Sequence, residues 1–179
     1  MEDEIHQICP IIWWHVWDNT PYPDFNTPLY QSTDLINCHS HHTYTQLKGK
    51  FPGKVNFIPH TVPKDIFRKL ETDQIARHKK DLLGPERMDH FVGIWVNRNA
   101  KRKRSSDVVE SWKMFLDKLE KEKGHRKASL IMHCDPYDGE GANLIQVSEM
   151  LGVKDNIIFS TDRLEFEQMN VLYNISDFC

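Results

Sequence analysis

The stretch Phe91–Trp112, FVGIWVNRNAKRKRSSDVVESW, decides the expected fold. Its first six residues are apolar and predict a buried β-strand, and a basic loop follows them. The next apolar residues recur at helical spacing: Val108, Val109, Trp112, Phe115, Leu116 and Leu119. This order of strand, cationic loop and helix indicates an α/β domain with positive charge at the carboxyl edge of its sheet, where such folds bind ligands. The expected ligand is an anion such as a phosphate.

The alternation of strands and helices extends along the whole chain. Strand-like runs cover 10–17, 35–38, 55–58, 91–96, 129–134 and 156–159, and another strand begins at 177–179. Helical patterns cover 73–83, 106–122, 142–151 and 165–173. Such an alternation predicts α/β architecture, with Rossmann-type parallel sheets and helices on both faces.

Composition narrows the class of protein. The chain has 179 residues, of which 39% are hydrophobic and 27% charged, as in an ordinary soluble protein. A formal net charge of -3 disfavours nucleic acid as a partner, because nucleic-acid binding usually needs a basic surplus. The sequence contains neither an apolar run long enough to span a membrane nor a signal peptide, so a cytoplasmic location is expected.

The cysteines and histidines raise the question of a metal site. Four cysteines lie far apart without CxxC spacing, and three of them occupy apolar strand-like runs, which favours buried free thiols over disulfides. Cys38, His39, His41 and His42 form the one cluster that suggests zinc. Their crowding into one turn favours the start of a solvated helix over a metal centre.

Proline residues mark a domain seam. The segment Pro59–Pro63 breaks the pattern and predicts a first domain over 1–60 and a second over 61–179. The chain opens almost directly on a strand of buried type and stops at Cys179 without a polar tail. Such termini would leave sheet edges unpaired, so both domains are expected to be partial.

Five motifs carry a family resemblance. VNFIPHTVP, at 55–63 with Phe67 following, resembles a V-x-x-I-P-N/H-G-V-D…F domain junction, and Asn97-Arg98 with Lys103 resembles a G-R-x-x-x-x-K loop. The segments 156–159 and 172–177 resemble x-V-x-F…L-Y-x-x-A-D. Upstream, 10–15 resembles a P-x-V-x-T-x-H strand, and 32–40 resembles A-D-x-I-x-x-x-S. Together they are similar to the group 1, family 4-like retaining glycosyltransferases of the GT-B fold.

The resemblance implies two Rossmann-like domains that face each other across a cleft. The range 1–60 corresponds to the end of the acceptor-side domain, and 61–179 to the first part of the domain that binds the nucleotide-sugar. The match stops before the family's Glu-x7-Glu segment, so the isolated chain is expected to be weakly active or inactive. Thr61 and Asn97 stand where the family usually has glycine.

The resemblance also implies roles for the basic loop. Asn97, Arg98 and Lys103 correspond to the donor loop, where an arginine fork and a lysine would stabilise the charge of the departing diphosphate. The alternative is a solvated basic loop, and that interpretation is favoured for Lys101, Arg102 and Arg104. Neither a metal nor another cofactor is expected, because the basic side chains would do the work of a cation.

Other candidate residues follow the strand-like runs. The resemblance places His15 opposite the transferred sugar as the candidate catalytic residue, and a packed imidazole is the alternative. Trp17, Asp18 and Asn19 suit sugar or acceptor contacts, although a structural turn is favoured. By resemblance, Ser160 and Thr161 lie near the donor base.

The resemblance thus implies a glycosyltransferase fragment that uses a nucleotide-sugar donor and an unknown saccharide, lipid or protein acceptor. Two other classes stay open. One is a Rossmann-like module that binds nucleotides or phosphate without catalysis. The other is a nucleic-acid-binding protein that uses the basic run 101–104, which the acidic balance of the chain disfavours.

Overall fold

A computed structural model, which describes residues 2–179, divides the chain into two compact units. The first unit ends at Val62 and the second comprises Pro63–Cys179. Each unit contains a three-stranded, wholly parallel sheet with flanking helices. The predicted α/β, Rossmann-type architecture is therefore confirmed.

The first unit has the strand order β1-β2-β3. Its elements are α1 (Glu2–His6), β1 (Ile12–His15), α2 (Thr27–Ser32), β2 (Leu35–Cys38), α3 (His41–Leu47) and β3 (Val55–Phe57). The register pairs His15 with Cys38 and Cys38 with Phe57, so the three strands end side by side. The core lies between the sheet and helices α2 and α3. It contains Tyr30 of α2, Ile36 and Cys38 of β2, and Leu47 of α3.

The prediction of a buried strand over 10–17 is wrong in extent and in burial. β1 comprises only Ile12–His15, and both Ile12 and Trp14 are exposed. The reason is that β1 pairs with β2 along one side and packs one face against the core. Trp13 and His15 point to that face, and the alternate residues point away from it.

The second unit has the strand order β4-β5-β6. Its elements are α4 (Thr72–Leu83), β4 (Phe91–Val96), α5 (Ser105–Lys123), β5 (Ala128–His133), α6 (Leu144–Met150), β6 (Ile157–Ser160) and α7 (Phe166–Asn174). Each agrees with a predicted run to within two residues at either end.

Local signals set several boundaries. Glu71 and Glu165 begin α4 and α7 with capping boxes, and Gly124 ends α5 in the left-handed region at a φ of 74°.

Helices cover both faces of the second sheet. Leu130 and Met132 of β5 pack against α5 and α6, where Val109, Trp112, Leu116 and Leu144 are buried. Ile131, which points to the opposite face, lies in a separate cluster with Leu83 of α4 and Leu172 of α7. Successive residues of β5 point to opposite faces of the sheet and thus belong to two separate cores. The predicted arrangement of helices on both faces is confirmed for this unit.

The last residues of the chain reach the outer edge of β4. Phe178 forms a parallel bridge with Gly93, and Ile94 donates a backbone hydrogen bond to its carbonyl at 2.8 Å. This pairing agrees with the predicted start of a strand at 177–179. The expectation of buried thiols holds for Cys38 and Cys134, whereas Cys9 and Cys179 are exposed. Cys179 is exposed because it lies just beyond this isolated bridge.

Between Glu2 and Cys179, no helix has both the length and the apolar character needed to cross a bilayer.

Candidate functional site

A pocket of about 410 Å³ lies where the strands of the second unit end, and we call it the carboxyl-edge pocket. Its lining comprises Val96, Asn97, Arg98, His133, Cys134, Asp135, Ser160, Thr161, Asp162 and Arg163. The sheet register explains this set, because Val96 pairs with His133 and His133 with Ser160. The residues that follow three parallel strands therefore meet at one edge. Four predicted site residues are brought together here: Asn97, Arg98, Ser160 and Thr161.

The end of β5 contributes a histidine that the sequence analysis missed. His133 Nδ1 lies 2.9 Å from Ser160 Oγ, and the two side chains can share a hydrogen bond across neighbouring strand ends. The predicted strand over 129–134 places His133 inside the run, because that run ends at Cys134. Its position as the last residue of a strand parallel to β6 is the signal that could have identified it.

The pocket contains charges of both signs. Arg98 and Arg163 lie among its lining residues together with Asp135 and Asp162. Cys134 also lines the pocket, but burial, with a further contribution from Asp135, raises the pKa of its thiol to about 11. Because the thiolate is the reactive form, Cys134 is poorly suited to act as a nucleophile at neutral pH. The arrangement favours the binding of an anion or a polar ligand over covalent catalysis.

Arg98 is the most highly connected cation of the pocket. Its Nε and Nη2 atoms donate to the carboxylate of Asp138 at 2.6 and 3.2 Å, and its Nη1 lies 3.1 Å from Glu140 Oε1. The hydrogen bond to Asp138 is the largest cause of the raised pKa of Arg98. The Arg98 side chain is 60% exposed, whereas that of Asp138 is only 13% exposed. The arginine is thus accessible to a ligand but is already paired.

Lys103 lies in a short 3-10 turn, Lys101–Lys103, just before α5. Arg104 follows in the left-handed region at a φ of 54° and forms an ion pair with Asp107. A second pocket, of about 420 Å³, opens beside this turn and the start of α5. In the part of the chain that the structure describes, Lys103 lines neither pocket. Its donor-binding role therefore stays a prediction.

His15 is packed inside the first unit, with only 4% of its surface exposed. Its Nε2 lies 3.0 Å from the hydroxyl of Tyr30, and the rings of Trp13 and Tyr30 pack beside it. Burial, and to a lesser degree the nearby His39, lowers its pKa. These contacts resemble those of a packed imidazole, and the predicted contact with a sugar stays a prediction.

The loop after β1 uses its polar groups internally. Trp17 Nε1 donates to the carbonyl of Pro21 at 3.1 Å, and Asn19 Oδ1 accepts from the backbone of Thr20 at 2.9 Å. The carbonyl of Asn19 accepts a further bond from Gln46 at 3.0 Å. Asp18 is exposed. Trp17 and Asn19 thus stabilise the turn, and sugar contacts by this trio stay a prediction.

The predicted start of a solvated helix holds for His41 and His42, whereas Cys38 ends β2 and is buried, as is His39. Ser40 caps α3 by accepting a hydrogen bond from the backbone of Thr43, and His41 is the first residue of the helix. His39 stacks on His60 with ring centroids 4.3 Å apart. Within residues 2–179, no group of three or more histidine, cysteine, aspartate or glutamate side chains is arranged to hold a metal ion.

Comparisons with known proteins give a structural neighbour but no sequence relative. No protein-family model matches the chain, and no curated protein matches its sequence. The fold is similar to that in the crystal structure of Anabaena Alr3699/HepE in complex with UDP and glucose, with a TM-score of 0.64 and 14% sequence identity. The match covers 94% of this chain and 45% of that one, so the chain spans less than half of that protein's length. The likeness shows the fold, an α/β arrangement of the GT-B type, and no more than the fold.

Proposed function

We propose that this chain forms part of a glycosyltransferase and that its carboxyl-edge pocket binds the nucleotide diphosphate of a sugar donor. One observation carries the proposal: the strand register brings Asn97, Arg98, Ser160 and Thr161 to one pocket at the carboxyl edge of a GT-B-type sheet. Open α/β sheets bind ligands at this edge. The structural neighbour with the same fold holds UDP and glucose, which supports a nucleotide-sugar as the ligand class.

Arg98 is the residue best suited to the diphosphate. A guanidinium presents N–H donors in a fixed fork that matches two phosphate oxygens, and its charge is independent of pH. Charge develops on the diphosphate as the bond to the sugar breaks, so a cation there stabilises the transition state more than the ground state. Asn97 and Lys103 complete the proposed donor loop from either side of Arg98 along the chain.

The other end of the pocket suits the nucleoside. Ser160 is the last residue of β6 and Thr161 follows it, so both offer hydroxyl groups at this end of the pocket, and His133 contacts Ser160. Hydroxyl and imidazole groups can both donate and accept hydrogen bonds, as recognition of a ribose or a base requires.

In the proposed protein, which would be a retaining enzyme of group 1, His15 contacts the transferred sugar. The acceptor is a saccharide, a lipid or a protein.

The test is calorimetric titration of the folded chain with UDP, GDP and ADP. We expect saturable binding of one diphosphate, and a loss of at least about tenfold in affinity in Arg98→Ala, the effect of removing a charged hydrogen-bond partner. Arg102→Ala is the matched control, because Arg102 is exposed in the same loop and does not line the pocket. Its affinity should equal that of the wild type.

Absence of binding by any of the three diphosphates in a folded chain would refute the proposal. Equal losses in Arg98→Ala and Arg102→Ala would instead favour a diffuse basic surface. In that case binding of duplex DNA with a steep salt dependence would support the nucleic-acid alternative through 101–104.

Nucleotide binding without transfer is the second candidate function. It is favoured by the position of the pocket, whose lining residues all belong to the second unit. The two candidate functions are distinguished by incubating the chain with radiolabelled UDP-glucose. If GDP or ADP binds better than UDP, the glucose donor that contains that base is used instead. With saccharide, lipid and protein acceptors supplied, release of the nucleoside diphosphate and transfer of the labelled glucose to an acceptor identify a transferase, whereas binding without release identifies a binding module.

A further inference from the structure

We propose that Asp138 and Glu140 form an acidic latch that holds Arg98 in the ligand-free protein, and that the donor diphosphate must displace this latch. The inference rests on the proposed function and adds a form of regulation to the same pocket. It concerns the loop between β5 and α6, whose acidic side chains include Asp138 and Glu140.

The latch engages every nitrogen of the guanidinium. Nε and Nη2 of Arg98 bond the two carboxylate oxygens of Asp138, and Nη1 pairs with Glu140. This is the fork-to-fork geometry by which arginine also binds phosphate. Three of the five N–H donors of Arg98 are thus occupied, and a diphosphate that used the Nε–Nη2 fork would have to displace Asp138. The three side chains together carry a net charge of about -1, which repels an anion until Arg98 is released.

The loop that carries the latch is anchored at both ends. Asn99 is almost fully buried, and its Nδ2 donates to the carbonyls of Pro136 at 3.4 Å and Ala142 at 2.8 Å. The backbone of Lys101 donates to the carbonyl of Glu140 at 3.1 Å. These bonds fix the position of the loop, so that Asp138 and Glu140 are held beside the proposed donor loop.

Arg98 can leave the latch without unfolding the loop. The Arg98 side chain is 60% exposed and borders solvent, whereas that of Asp138 is only 13% exposed. The carboxylate of Asp138 keeps one partner when Arg98 leaves, because its Oδ1 also accepts a hydrogen bond from the backbone of Glu140 at 3.0 Å. Release of the arginine thus breaks its ion pairs with Asp138 and Glu140 but leaves the Asp138 carboxylate with a backbone hydrogen bond.

The experiment measures the affinity for the nucleoside diphosphate that binds best, with UDP as the first probe, in wild type, Asp138→Asn and Glu140→Gln. Asparagine and glutamine keep the shape of each side chain and remove its charge. Because exposed ion pairs contribute up to about 1 kcal/mol, we expect affinity to rise about two- to fivefold in Asp138→Asn. The exposed Glu140→Gln variant should show a smaller rise. High salt should reduce both gains.

Two controls separate the latch from a general change in charge. Asp107→Asn removes the same charge from another arginine pair, between Arg104 and Asp107, outside the carboxyl-edge pocket. It should leave the affinity within about twofold of wild type. In an Arg98→Ala background, Asp138→Asn should bring no gain, because the latch has no arginine left to release. Circular dichroism confirms that each variant is folded.

The outcomes are distinct. If wild type binds the diphosphate and neither Asp138→Asn nor Glu140→Gln binds it more tightly, the latch is refuted while the proposed function stands. A gain that persists in the Arg98→Ala background, or an equal gain in Asp107→Asn, also refutes the latch. If neither wild type nor the folded Asp138→Asn variant binds UDP, GDP or ADP, the proposed function fails and the latch fails with it.

Discussion

Gly141 and Asn99 approach so closely that no side chain fits between them. A Cβ atom added to Gly141 would lie 2.2 Å from the backbone oxygen of Asn99 and 2.3 Å from its Oδ1. Asn99 is also the residue whose amide bonds both ends of the loop that carries Asp138. The contact therefore joins the loop after β4 to the acidic loop between β5 and α6, and the absence of a side chain at position 141 makes it possible.

Gly141→Ala tests this contact. The added methyl group must push the acidic loop or Asn99 aside, and overpacking of this kind costs about 1–3 kcal/mol of unfolding free energy. Urea unfolding followed by circular dichroism measures the loss. Gly139→Ala is the matched control, because a Cβ there meets no atom within 4 Å. Equal stability of the two variants would contradict the close approach.

Trp112→Ala should destabilise the second unit by about 3–5 kcal/mol, the cost of emptying a large aromatic site in a core. Trp112 is buried in α5 and its ring packs against Gly93 of β4 and against Phe115. Met114→Ala, at a site in the same helix that is 67% exposed, is the control and should change stability by less than about 0.5 kcal/mol. The check is protection of the β4 and β5 backbone amides against hydrogen exchange. Unchanged protection in Trp112→Ala would contradict the assignment of the core.

The stability of the first unit should decrease as the pH falls below about 6.5. Burial lowers the pKa of both His15 and His39 from the ordinary value of 6.5, with a smaller contribution from the neighbouring histidine in each case. Below that pH the unfolded chain binds more protons than the folded unit does, so protonation favours unfolding, and the loss continues until the lowered pKa is passed.

The measurement is the melting temperature by circular dichroism between about pH 7.5 and about pH 5, the range in which histidine titrates. His39→Gln removes one of the two titrating rings and should reduce the slope of Tm against pH. A slope in His39→Gln as steep as in wild type would exclude His39 as a source of the effect.

Two of the four cysteines should react with a thiol reagent in the folded protein. Cys9 and Cys179 are exposed, whereas burial raises the pKa of the Cys38 and Cys134 thiols to about 11. Reaction requires the thiolate, so the buried pair should react only when the chain opens. Ellman's reagent should therefore detect two reactive thiols per chain before urea is added and four thiols after the chain has been unfolded in urea. Rapid reaction of Cys134 in the folded state would show that the carboxyl-edge pocket admits reagents to it.

Short-range patterns predicted the elements of the second unit well. The run Phe91–Val96 and the spacing of Val109, Trp112 and Leu116 depend on which face of an element is buried, and this periodicity can be read locally. The same reasoning failed for β1, where tryptophan and isoleucine residues indicated burial but two of them are exposed. Burial of a strand depends on what packs against each of its faces, which local sequence does not contain.

The sequence by itself determined the kind of fold and the two arms of the candidate site. Positions 97–98 and 160–161 follow strand-like runs, and parallel strands must end at one edge, so their convergence was predictable. Only the tertiary structure decided which partners these residues have. Arg98 meets Asp138 40 positions away, and His133 meets Ser160 across 27. Such pairs depend on strand register and on the path of a loop, which are set by the packing of the whole unit, and local periodicity carries no information about either.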